Sequence, residues 1–179
     1  MNKGQWVAFL RGINLGGRTV RMEELCRAFQ QAGFTRVASV LASGNILFSS
    51  DPPPDAQQIS LVLEKAFGFP IDVVLRSLDQ LQAMVASDPF AGWEADRNTK
   101  FYVTFSSAPL AGALDALEAD PADFQLVRVD EKDYFCVAFR QPSGRFGAGM
   151  DRLERRFSGQ TITTRNWNTI HRIMKKAQP

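Results

Sequence analysis

The chain has 179 residues, 45% of them hydrophobic and 22% charged, with 21 Lys and Arg against 19 Asp and Glu and a formal net charge of +2. That is the composition of an ordinary globular protein, long enough for one large domain or two small ones that bury roughly 70% of the unfolded surface. No segment approaches the ~20 apolar residues of a membrane span, and the start MNKGQWVAFLRG lacks an apolar run of signal-peptide length, so we expect a cytoplasmic protein with no membrane partner.

In chain order, residues 5–10 read as a strand and MEELCRAFQQAG as a helix, with Met22, Leu25, Cys26 and Phe29 on one face and Gly33 at its end. RVASVL and ILFSS flank a Ser-Gly-Asn break at 43–45 and read as a hairpin, which Asp51 and three prolines then terminate. A helix over residues 56–67 leads through Gly68 to a strand over 71–75, and Ser77 is placed to cap a third helix, LDQLQAMV. After a connector at 89–98 the order begins again. There is a strand over 100–105, a helix over 110–117, the strands QLVRV and YFCVAF about a charged turn at 130–133, and a helix near 150–157. A short extended TIT and a terminal helix over 166–177 close the chain.

The expected fold class is α+β, with two ferredoxin-like (split βαβ) subdomains in tandem: 1–88, a connector at 89–98, and 99–179 with an extra terminal helix. The halves share this order of elements without a matching repeat at the residue level. In the first strand Val7 and Phe9 oppose Trp6, Ala8 and Leu10, and both sets are largely apolar, so the second face of the sheet should be covered.

Charge is unevenly spread. Residues 1–50 hold six Lys and Arg against two acids, residues 51–130 five against thirteen, and residues 131–179 ten against four. Two basic ends around an acidic middle suit a discrete anionic ligand better than a long polyanion track.

Three polar breaks stand out. GINLGGRT, residues 12–19, follows a strand and precedes a helix and matches a P-loop except that Arg18 occupies the lysine position. A glycine turn with an anion-binding or a purely structural role fits it better than nucleotide hydrolysis. Ser43 and Asn45 sit at the tight hairpin break, where Asn tolerates left-handed geometry and bonds to nearby backbone. In TTRNWN, Thr164 is the expected N-cap of the terminal helix, with Arg165 and Asn166 in a first turn whose free N–H groups favour an anion. Trp167, Ile170, His171 and Met174 then form one stripe, Trp167 as a core anchor.

Other chemistries have less support. A single histidine and the separated cysteines Cys26 and Cys136 give no metal or redox constellation, and no nucleophile is paired with a base. Tyr102, Tyr134 and Arg140 would have to share an outward face to stack nucleic-acid bases.

With LRGINLGG, LASGNILF and TTRNWNTI in that order, the chain resembles the bacterial DUF1697 family, nearly end to end from Trp6 to Met174. The resemblance implies a two-subdomain α/β protein with ferredoxin-like halves and no established activity. It marks Arg11, Asn14, Ser43, Asn45, Arg165 and Asn166 for a shared polar site. Ala42 and Arg18 stand where the family pattern has glutamine and lysine.

The expectation for function is a protein that binds an anionic or phosphate-bearing small ligand at a cleft between subdomains, through Arg11, Asn14, Arg18, Ser43, Asn45, Arg165 and Asn166, with no metal and no cofactor. The alternatives are a dimerisation module, a nucleic-acid binder, and an enzyme of phosphoryl or acyl chemistry using Arg165 with Ser43 or His171.

Overall fold

The computed structural model describes residues 4–14, 17, 19–110, 123–146, 157 and 159–178. Within them lie eight strands in two four-stranded antiparallel sheets, and four helices. The chain divides into two compact units, Met1–Ala83 with Arg172–Pro179, and Met84–His171. The division therefore falls inside the third and fourth helices. The expected helices over 110–117 and 150–157 lie almost wholly outside the described residues.

The first unit begins with β1 (Gly4–Arg11) and α1 (Met22–Gln31). β2 (Thr35–Ser39), β3 (Asn45–Ser50), α2 (Ala56–Phe67) and β4 (Asp72–Ser77) follow. The strand order is β2-β3-β1-β4, so the first strand ends up in the middle, between β3 and β4. α1 forms because its apolar positions fall at helical spacing and bury Leu25, Ala28 and Phe29. Glu23 and Glu24 in its first turn offset the absence of a side-chain cap. α2 is bounded at both ends by local chemistry: Asp55 accepts the Gln57 and Gln58 N–H groups, and Gly68 takes the left-handed conformation that stops it.

One face of this sheet, through Ala8, Leu10, Ile46, Phe48 and Val73, packs with Leu25, Phe29, Ile59 and Leu63 into a core. Phe29, Phe34 and Phe48 form a ring cluster with centroids 4.8 to 5.7 Å apart. The opposite face carries Val7, Phe9, Leu47, Val74 and Arg76, and all five are buried within the single chain. The two-sided burial read from β1 is thus observed.

The second unit contains β5 (Thr99–Ser106), β6 (Phe124–Asp130), β7 (Asp133–Phe139) and β8 (Ile162–Asn166) in the order β6-β7-β5-β8, the same arrangement of first, second, third and last strands. Tyr134, Cys136, Ala138 and Ile162 form its core with Leu110 and Phe124. Val103, Phe105, Val137 and Arg165 on the other face are buried too. α3 (Leu78–Ala86) follows β4, and α4 (Trp167–Ala177) follows β8.

One expectation needs correction. Thr163, Thr164, Arg165 and Asn166 do not open a helix; they are strand, paired with Phe105, Thr104, Val103 and Tyr102 of β5. Successive β-branched threonines opposite an available edge favour the ladder over a helical first turn, and the Thr164 hydroxyl meets that of Thr104 at 2.8 Å instead of capping. The cap is Asn166, whose Oδ1 accepts the Asn168 N–H at 2.9 Å. The buried stripe of α4 is accordingly Trp167, Ile170 and Ile173, and His171 is exposed.

The two units also share a local junction. Arg76-Ser77-Leu78 with Leu81 corresponds to Arg165-Asn166-Trp167 with Ile170: a strand ends in a buried arginine, a capping side chain follows, and a helix then buries its first and fourth positions or its fourth alone. Arg76 lies opposite Val7 of the first strand, and Arg165 opposite Val103 of its counterpart.

Candidate functional site

Three of the expected site residues come together where β1 ends. Asn45 is fully buried, and its Nδ2 donates to the Val40 carbonyl and to Ser43 Oγ, both at 2.9 Å. The Leu10 N–H donates to Gly44 O at 2.8 Å, and Asn14 Nδ2 reaches Ala42 O at 3.3 Å. Asn14 Oδ1 accepts the Val20 N–H at 3.4 Å, which closes its own loop. Gly44 has φ +74°, and a Cβ there would stand 2.7 Å from Ile13 Cδ1 and 3.1 Å from Leu10 Cβ. These polar groups fasten the glycine loop to the hairpin turn. Arg11, half-buried, lies opposite Asp72 of β4. Arg18 lies outside the described residues.

Arg165 is held differently. It is 9% exposed, and its Nη1 donates to Thr163 Oγ1 at 2.6 Å and to Thr164 O at 2.9 Å. Arg76, 2% exposed, makes the matching fold-back to Leu75 O at 2.7 Å. Both guanidinium groups thus serve the strand that carries them.

Asn166 borders a cavity of about 340 Å3, together with Asp96, Thr99, Lys100, Trp167 and Asn168. Several local causes build it. Asp96 Oδ1 accepts the Asn98 N–H at 2.8 Å, and the Asp96 N–H bonds to Thr99 O, which turns the connector sharply into β5. That backbone hydrogen bond from Asn98 holds the Asp96 carboxyl below the usual carboxylate range, so it stays charged. Trp167 forms the wall of the first turn of α4, set by edge contacts to Phe90 and Phe135 at 5.3 and 6.0 Å. Lys100 Nζ lies 4.3 Å from the Phe146 ring centroid. Lys100 and Asp96 were missed from sequence, although the Asp-x-Asn turn before a strand signals a shaped loop there.

Two proposed roles lack geometric support. Tyr134 is buried, and its hydroxyl accepts the Leu110 N–H at 2.7 Å, so it is no outward stacking platform for bases. Ser43 Oγ receives the Asn45 amide and meets no base among the described residues, and His171 packs edge-on against Trp167 at 5.4 Å. Cys136 is buried, and desolvation pushes its thiol up to about 12. Among the described residues, no three His, Cys, Asp or Glu side chains gather as a metal site would require.

A family model described as a protein of unknown function, DUF1697, matches residues 3–135. The conserved bacterial protein SP0830 from Streptococcus pneumoniae has a similar structure, with 25% identity, 97% of this chain and 98% of that one covered, and a TM-score of 0.72. An unknown protein from Galdieria sulphuraria aligns with 15% identity over 93% of this chain and 99% of its own, but with a TM-score of 0.26 it bears on nothing further. No curated protein matches the chain.

Proposed function

The chain belongs to the DUF1697 family of proteins of unknown function, and from that premise we propose that it binds a small ligand through an anionic group, in the cavity beside the first turn of α4. One observation carries this reading. Lys100, the side chains of Asn166 and Asn168, and the start of an 11-residue helix border the same space of about 340 Å3. The N–H groups and positive dipole end of such a helix attract negative charge, and a nearby lysine adds to that field. Asp96, charged and on the same rim, repels a polyanion track, so the ligand is a compact carboxylate or phosphate ester and not a nucleic acid.

We further infer that each half is a ferredoxin-like α/β plait, on the support of the strand orders β2-β3-β1-β4 and β6-β7-β5-β8. We assign the protein to the cytoplasm; no helix among the described residues is long and apolar enough to cross a membrane. A dimer through the free faces of the sheets has less in its favour, since those faces are buried in one chain.

The test is a thermal-shift series with inorganic phosphate, sugar phosphates and small carboxylates on wild type and Lys100→Ala. Lys100 is exposed and its contact with the Phe146 ring is worth at most about 1 kcal/mol, so its loss should lower the unliganded melting temperature only slightly and remove the stabilisation, which is about 2.7 kcal/mol for a ligand at 100 times its Kd. An equal shift in the variant, or no shift from any anion in the wild type, would overturn the proposal.

A further inference from the structure

The first unit holds a second cavity, of about 440 Å3, between the end of α1, the proline loop and the first turn of α2. Its size falls within the roughly 300–1,000 Å3 of small-molecule sites. Phe34, Ile59, Val62 and Pro52, Pro53 and Pro54 supply an apolar floor and wall. Asp51 and Asp55 stand on the rim.

The charged side chains of this cavity are both carboxylates, and Asp55 caps the positive end of the α2 dipole that reaches the same space. Both capping bonds of Asp55 go to Oδ1, at 2.7 and 3.1 Å, and its Oδ2 makes no hydrogen bond or ion pair among the described residues. The Asp51 carboxylate makes none there either. No Lys or Arg lines the cavity, and α1, whose end borders it, has no basic residue in its last turn, so the negative end of that helix dipole is uncompensated by its own side chains. The three prolines carry no N–H, so this stretch of wall offers an anion no backbone donor, although the Pro52 carbonyl already accepts the Ser50 hydroxyl.

We propose that this cavity is a binding site for a small amphiphilic cation, a protonated amine or guanidinium on an apolar body. The charged head lies between Asp51 and Asp55, and the body lies on Phe34 and Val62. The complement follows from the walls: charge attracts the head, and the apolar floor separates an alkyl or aryl amine from a bare inorganic cation.

The test uses phenethylammonium as the probe and 2-phenylethanol as its neutral counterpart, followed by amide chemical-shift titration at low salt. Saturable shifts confined to residues 32–34 and 50–62 are expected with the amine, with the alcohol at least tenfold weaker. Replacing both carboxylates, Asp51→Asn with Asp55→Asn, should weaken the amine at least tenfold while keeping the fold, because Asn also caps helices well. Lys100→Ala should leave this titration unchanged, which separates it from the anion site. Equal binding of amine and alcohol, an unaffected double variant, or no saturable shift at these residues would overturn the proposal.

Discussion

Gly44 shows how one residue carries both a conformation and a contact. Its φ of +74° disfavours any side chain, and the atoms a Cβ would meet belong to Leu10 and Ile13, which anchor the loop after β1. Gly33 has a similar φ of +93° but nothing within 4 Å. Gly44→Ala should therefore cost about 2–4 kcal/mol, backbone strain plus overpacking, and Gly33→Ala only about 1–2 kcal/mol, strain alone. Urea unfolding of the two variants checks this, and equal losses would show that the contact is unimportant. The Ser43-Gly44-Asn45 break was legible in the sequence as a turn. Its fastening by Asn14 was not, because the partner sits 28 positions away.

At the scale of elements, the repeated junction makes a paired prediction. Arg76 and Arg165 each fold back on the preceding carbonyl while buried. Arg76→Ala and Arg165→Ala should each lower unfolding free energy by about 2–3 kcal/mol, the typical size for hydrogen bonds from a charged group, with Lys a poor substitute for the planar fork. Denaturant midpoints decide; if Arg165→Ala instead leaves stability unchanged and only abolishes anion binding, its role is in the ligand site. Strand and helix order was readable from periodicity and punctuation, as α2 shows with its boundaries at Asp55 and Gly68. The start of α4 was not. Local capping preference pointed to Thr164, whereas pairing with β5, sixty residues earlier, drew Thr163 to Asn166 into the sheet.

For the whole molecule, pH gives a sign that can be worked out. Burial raises the Cys136 thiol from 9.0 to about 12, so the folded state holds this proton more tightly than the unfolded chain does. Its contribution to stability is full below pH 9.0 and is lost as pH climbs toward 12, at up to about 1.4 kcal/mol per pH unit. Cys136→Ser should flatten the alkaline limb of a stability-versus-pH curve, and an unchanged slope there would assign that limb to other groups. The mixed α/β organisation with two sheets was visible from the recurring order of elements. The cavities were not, since Asp96 with Lys100, and Phe34 with Asp51, are juxtaposed only by folding.

The twin arginines also bear on how copies of this protein behave at high concentration. β4 and β8 are edge strands, and an exposed edge invites an incoming strand from another molecule. On each of these edges a carbonyl near the end is already taken by a guanidinium that is itself almost wholly enclosed. The same side chain that ends the strand thereby takes one acceptor that an incoming strand would need at that edge, as a by-product of the way the chain turns from sheet to helix.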